Sequence, residues 1–504
     1  MNDIKFTKTN GGMGRKAANE DPISGLLMYL KELAAEDLGS NSNARQFDGI
    51  LPQDGDTSLY VAKLRCEEDL ADYGLPQWKD ADRLKAAAAA VQEHNTAIDV
   101  VTGEIPAEFG GGSSITDNEE EAEESESVVD DESKTYAKLA IAYHVREFFR
   151  MNPEGTLYLG VKFGDTAIEA EDIEAIQNHA NGSIRQLGVF SEGFCGKIEG
   201  FQTMATALEA EHKPLSIIGT ESWFTGEVNS VIDDIVAVLD AGPDPEPSEP
   251  SEPAETSAGD YPHTFATLTS NSDNYVRGGR CNVSFLVGCD LDPDVVGKLG
   301  GDVEEGQPTH YAYYGCIGTC LGAVSKAAVH ECIAWVGNFP LGLGAPGLIT
   351  GELIKEVSSS NQEKIDDNHY IFVRTHVGND DNFFNDSHTL DVDTSDYAYI
   401  ENVRTIDKAC RGIRANLLPY LNSPLKVDAE TGKLDAPMVA FLETTAGKAL
   451  EDMEKAGELS GYRAEIDPDQ NVLATSQVEI LIKNVPMGVM RKVHVKIGFT
   501  TALS

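Results

Sequence analysis

Basic residues are scarce in this sequence: 39 Lys and Arg stand against 84 Asp and Glu in 504 residues, a formal net charge of −45. Such a charge opposes binding to DNA, RNA or anionic membranes, and it makes like subunits repel one another. Cysteine never occurs as Cys-x-x-Cys. The residues are Cys66, Cys195, Cys281, Cys289, Cys316, Cys320, Cys332 and Cys410, and the close pair Cys316/Cys320 has no matching second pair. That spacing argues against a zinc site and for buried, reduced thiols. No apolar run is long enough to cross a bilayer, and Met1-Asn2-Asp3-Ile4-Lys5 does not lead into a secretory apolar segment. The expectation is a soluble protein that stays in the cytoplasm where it is made, with no membrane insertion and no nucleic-acid partner.

Catalytic signatures are missing as well. No Gly-x-Ser-x-Gly is present, and no Ser or Cys stands in an activated setting. Gly342-Leu343-Gly344-Ala345-Pro346-Gly347 has dinucleotide-loop spacing, but Pro340 precedes it and Pro346 lies inside it, so it reads as a plain loop. His330-Glu331 lacks the second histidine of a zinc protease, because Ala334 stands there. Asp380, Asp381, Asp391, Asp393 and Asp396 lack the spacing of a calcium loop. No cofactor, metal or enzyme activity is expected.

What is present suits two or three domains. Residues 1–22 read as an N-terminal arm in which Ile4 and Phe6 alternate with polar residues, and Gly11-Gly12-Met13-Gly14 makes a tether with Gly12 and Gly14 as hinges. Ile23–Leu38 reads as an amphipathic helix and Asp80–Asn95 as an alanine-rich one. Residues 103–133 turn to Gly, Ser and acid, with ten acids between Asp117 and Glu132, and read as an exposed loop or insertion. Order returns with helix Tyr136–Met151, strand Thr156–Lys162, helix Glu169–Ala180, strand Ile184–Phe190, helix Ile198–Glu211 and strand Pro214–Thr220. This alternation predicts an α/β layer with a mainly parallel sheet. Strands Asn282–Gly288 and Tyr370–Val377 and helix Thr319–Val336 join it. The core is thus discontinuous, 23–223 and 275–398, broken by a surface insertion at 224–274 that carries a stiff Pro-Glu-Ser tract.

A C-terminal α+β domain follows over 399–488. From Tyr399 onward Val403, Ile406, Cys410, Ile413 and Leu417 fall on one helical face, and Arg404, Lys408, Arg411 and Arg414 on the other, with Pro419 closing the helix. In so acidic a chain that basic stripe suits an acidic partner or neighbouring subunit. A second helix covers Met438–Glu458. Val478, Ile480 and Ile482 alternate with polar residues, as do Val493, Val495, Ile497 and Phe499 in a final arm strand, 489–504. Between them Pro486 and Gly488 mark a turn or hinge. Two pairings fit: an internal hairpin across Asn484–Gly488, or a last strand that leaves its own subunit for a neighbour.

Four stretches carry a resemblance to a known family. They are Val324–Val336, Asp396–Ala409, Ile466–Ser476, and Val485-Pro486-Met487-Gly488 leading into the closing strand. With these the chain resembles the tail sheath proteins of contractile phages and phage-tail-like contractile injection systems, in a prophage branch described as a conserved domain of unknown function. The likeness covers roughly Tyr136–Thr220 and Asn282–Thr501, and departs at the acidic stretch and the Pro-Glu-Ser region. It implies a homo-oligomer of hexameric rings stacked in a helix around an inner tail tube, with baseplate and tail terminator proteins as further partners. It also implies contraction that drives the tube through a target envelope, and terminal arms exchanged between subunits. On that reading the arms hold Ile4, Phe6, Val493, Val495, Ile497 and Phe499, and the basic stripe faces the tube, with helix Met438–Glu458 as the alternative. Another tail structural protein, baseplate or terminator, is the second reading, and an α/β hydrolase the third.

Overall fold

Residues 20–38, 45–50, 59–86, 120–164, 166–221, 282–300, 311–392, 394–428 and 431–499 are described by a computed structural model. Ile4, Phe6, Gly12, Gly14 and the 224–274 insertion lie outside them.

Successive apolar runs that are buried on both faces form the centre of the body. In chain order the strands are β1 (Ile23–Tyr29), β2 (Asp48–Ile50), β3 (Leu59–Leu64), β4 (Thr156–Lys162), β5 (Gln186–Phe190), β6 (Ser216–Thr220) and β7 (Val283–Leu286). β8 (Gly288–Asp290) and β9 (Pro346–Leu348) pair with each other, and β10 (Tyr370–Ile371) returns to the main sheet. That sheet has eight strands in the order β10-β7-β6-β5-β1-β4-β3-β2. It is parallel from β10 to β4, and β3 and β2 add an antiparallel edge.

Helices cover both faces. The labelled ones are α1 (Glu120–Met151), α2 (Ala170–His179), α3 (Ile198–Ala210), α4 (Ile317–Lys326), α5 (Ser359–Asp367), α6 (Ile400–Leu417) and α7 (Ala436–Lys455). Leu26, Met28, Leu157 and Leu159 pack with α1 and α4 on one face. Leu27, Leu187 and Val189 pack with Ile173, Ile176 and Phe201 of α2 and α3 on the other. The discontinuous α/β core expected from the alternation is therefore present.

Four local expectations are corrected. Ile23–Tyr29 is the central strand of the sheet and not a helix, since a strand flanked on both edges and both faces shows no period for its apolar residues to follow. A Cβ at Gly25 would come within 2.6 Å of Leu187, so the small residue is needed for packing. The acidic stretch is partly helical: α1 starts at Glu120, where Glu and Ala favour helix and neither Gly nor Pro interrupts. The helix expected over Thr319–Val336 stops at Lys326, and Ala327 is extended. Tyr370–Val377 divides into β10 and β11 (Val373–Thr375), which turns back on β12 (Asn382–Phe384). The edge pair β2–β3 was not anticipated, although Pro52, Asp54 and Gly55 between the two strands are turn residues, and of the helix expected over Asp80–Asn95 only residues up to 86 are described, with 81–86 helical.

α1 and α4 approach closely at Gly318. Its N–H donates to His144 Nδ1 at 3.4 Å, and a Cβ there would meet the His144 carbonyl oxygen at 2.1 Å. Backbone cannot yield as a side chain can. Gly318→Ala is expected to destabilise the subunit by about 1–3 kcal/mol, while Gly200→Ala in α3, where a Cβ meets nothing within 4 Å, should stabilise it by about 0.5–1 kcal/mol. Thermal unfolding of the two variants checks this, and equal midpoints would refute the close approach.

Candidate functional site

In open α/β sheets ligands sit beyond the carboxyl ends of the strands, where the strand order reverses. Here that point lies at β1, between β4 and β5, and the chain fills it. Tyr314 stacks on Phe190 with ring centroids 3.9 Å apart, and the buried Tyr311 donates its hydroxyl to Glu32. Glu221 is taken up by the N–H groups of Gly193 and Cys195, at 3.1 and 3.0 Å. Gly342–Gly347 is a loop leading into β9, with Asp290 accepting from the Ala345 N–H at 3.0 Å.

The chemistry concentrates instead on α6. Its polar side makes much of the contact with the body, and its apolar stripe is open at Cys410. Val403, Arg404, Thr405, Asp407 and Ala409 are buried, whereas Ile406 and Ile413 are half-buried and Cys410 is exposed. The open side faces a groove of about 680 Å³ that His212, Pro214 and Ile482 also line.

The basic stripe is thus not an outward patch. Arg404 is 4% exposed, and its guanidinium donates to the carbonyls of Ala327 and Ala328 at 3.1 and 3.4 Å. Thr405 donates to the Val329 carbonyl at 3.2 Å. These carbonyls are accessible because α4 ends at Lys326. Burial pulls the Arg404 pKa down to about 10, which leaves the side chain charged at neutral pH. Lys408 bridges Asp21 and Glu458 at 2.7 and 2.6 Å, and Arg411 reaches Asp21 at 3.0 Å. Arg414 lines the groove, where burial and Arg414 together lower the His212 pKa. Three of the four cations expected to meet a partner are therefore engaged within the chain. Sequence spacing could not show this, because Asp21 lies 387 positions from Lys408.

α6 packs with α7 and with a two-stranded antiparallel sheet, β13 (Leu459–Glu465) and β14 (Leu481–Pro486), around Ala409, Leu450, Met453 and Leu459. Pro486 is the last residue of β14, and the Ser460 hydroxyl donates to its carbonyl at 2.9 Å. Among the described residues β14 pairs with β13 alone, so the internal hairpin with the last segment does not form. Residues 487–499 carry neither helix nor strand. Val493, Val495, Ile497 and Phe499 are 64%, 77%, 95% and 111% exposed.

One residue ahead of that segment was missed at the sequence level. Arg491 donates to Asp386 at 2.8 Å and to Glu401, and lies over the Tyr399 ring at 3.4 Å from its centroid. Glu401, only 3% exposed, also accepts from the Ser387 hydroxyl. Burial raises the Glu401 pKa against the pull of Arg491. Nothing in the local pattern of Arg491 distinguishes it from the lysines that follow.

Two segments of the chain match family models. Residues 294–388 match the N-terminal domain of DUF2586, and residues 396–504 match the DUF2586 C-terminal domain. The second segment contains α6, α7, β13, β14 and the exposed segment 492–499. Among solved structures the chain is similar to a chain of the anti-feeding prophage (AFP) baseplate, 6-fold symmetrised, at 11% identity and TM-score 0.46, covering 98% of this chain and 100% of that one. It is similar also to a chain of an extracellular contractile injection system, the PVC sheath complex in its contracted state, at 11% identity and TM-score 0.46, covering 99% of each. No curated protein matches the chain.

If Arg404 fastens α6 to the body, Arg404→Ala leaves the Ala327 carbonyl without a donor, while Ala328 keeps the Glu331 N–H, and should destabilise the subunit by about 1–3 kcal/mol. Arg414→Ala should change it by less than about 0.5 kcal/mol. Chemical denaturation distinguishes them, and equal effects would mean that the stripe is not docked.

Proposed function

We propose that this protein is a structural subunit of a contractile tail sheath, a non-catalytic component that polymerises through its C-terminal strand. The observation that carries the reading is the segment Lys492–Phe499. It presents four large apolar side chains to water, and it follows in the chain a two-stranded sheet that has no further strand among the described residues. Burying each such side chain contributes about 1.5–3 kcal/mol, and strand addition supplies backbone hydrogen bonds that persist while subunits rotate. A second copy offers the matching edge. From Ile480 to Ser504 the chain has Lys483, Arg491, Lys492 and Lys496 and no acid, within a chain of −45. This local positive charge draws the segment to an acidic neighbour and offsets the repulsion between like subunits.

The resemblance to sheath proteins supports the remaining features: stacked hexameric rings, an inner tube, baseplate and terminator partners, and residence in a tail or tail-like particle assembled in the cytoplasm. With Arg404, Lys408 and Arg411 engaged internally, the element left to face the tube is α7, where Phe441 is exposed. The filled strand ends, with Tyr314 on Phe190, support a structural role over hydrolysis.

Negative-stain microscopy of the purified protein should show long striated cylinders, and removing residues 493–504 should leave a folded, soluble monomer. Discrete rings would favour a terminator, and dispersed full-length monomers with hydrolase activity would favour an enzyme. If the truncated chain unfolds, the strand belongs to its own domain and this reading fails.

A further inference from the structure

We infer that Arg491 is the latch that fixes where the C-terminal strand leaves the body, so that the movable portion begins at Lys492 and not at the Pro486–Gly488 bend. The inference rests on the reading of 492–499 as an assembly strand, and it concerns the isolated subunit.

Two fixed points bracket the bend. On one side, β14 is held in register with β13 as far as Pro486, opposite Leu459. On the other, Arg491 is held from three directions: Asp386 from the segment after β12, Glu401 from the first turn of α6, and the Tyr399 ring beneath. A guanidinium bridging two carboxylates is directional, because its planar set of donors matches both at once. Stacking on an aromatic face adds to this. Residues 487–490 therefore span two anchors and cannot swing as a hinge does. Beyond Arg491 the side chains of 492–499 are all exposed.

The acceptor side is equally prepared. Glu401 is buried and satisfied by Ser387 and Arg491, and Asp386 is held by the Ser387 N–H at 2.8 Å. Removing Arg491 leaves a buried carboxylate without its counter-ion, so the latch has a strong preference for being closed.

The test uses nitroxide labels on the full chain with Cys410, Cys66 and Cys281 replaced by Ser, since Cys410 is exposed, Cys66 half-buried and Cys281 outside the described residues. One label is placed at Met490→Cys and another at Val495→Cys. In the unassembled subunit the 490 label should be immobilised and the 495 label mobile. Arg491→Ala should make the 490 spectrum as narrow as that of 495, Arg491→Lys should fall between, and Gly488→Ala should change neither. Arg491→Ala/Glu401→Gln removes the buried charge together with the latch, so it keeps the measurement possible if the single variant is poorly folded, and it should show the same mobile 490 label. A 490 label already mobile with Arg491 present, or one unmoved by both variants, overturns the latch. Neither result depends on whether cylinders form, so the latch and the sheath reading fail separately.

Discussion

The C-terminal half of this structure depends on one buried cation. Arg404 sits almost without solvent against the carbonyls of Ala327 and Ala328, and α6 can dock only where both are met. A buried charge is a poor source of net stability, but it is strict about geometry, since a displaced α6 would strand it. The same helix carries Lys408 and Arg411 to Asp21, at the entrance to the central strand β1, and Glu401 to Arg491, at the root of the exposed strand. Polar contacts thus orient α6, and Ala409, Leu450 and Met453 then give α7 and the β13–β14 pair their apolar support.

Around that helix the molecule divides its labour. The α/β body is finished: both faces of its sheet are covered, and the strand ends where other folds bind ligands are closed by their own tyrosines. The small C-terminal sheet is unfinished among the described residues, with Leu481 and Val485 of β14 more than half exposed and a basic, apolar segment beyond them. In a strongly acidic chain, a basic segment whose apolar side chains nothing among the described residues covers is the part best suited to another copy.

Much of the body was legible in the sequence. The alternation of β4, α2, β5, α3 and β6 follows directly from apolar runs separated by amphipathic stretches, and Pro419 marked the end of α6. β1 was misread because burial on both faces erases periodicity, and the Ile23–Tyr29 run fits either element. The end of α4 at Lys326 was hidden because Ala327 and Ala328 favour helix, and the group that takes up the Ala327 carbonyl, Arg404, is distant in sequence. For the same reason the helical wheel of α6 offered the basic face to an acidic partner or neighbouring subunit. The wheel gives which residues share a face, but not which face the body takes.

The central claim is that the exposed strand belongs to another copy's β14 edge, and paired cysteines read this most directly. One preparation carries Val485→Cys and the other Val495→Cys, each in a background with Cys66, Cys281 and Cys410 replaced by Ser, with Val493→Cys and Ile497→Cys as register alternatives. A disulfide needs Cα atoms within about 7 Å. The account predicts oxidised dimers in the mixture of the two preparations under assembling conditions, and none in dilute unassembled protein carrying both substitutions in one chain. A bond formed efficiently within the single dilute chain, or assembled polymers with no bond at any of the three registers, would contradict it.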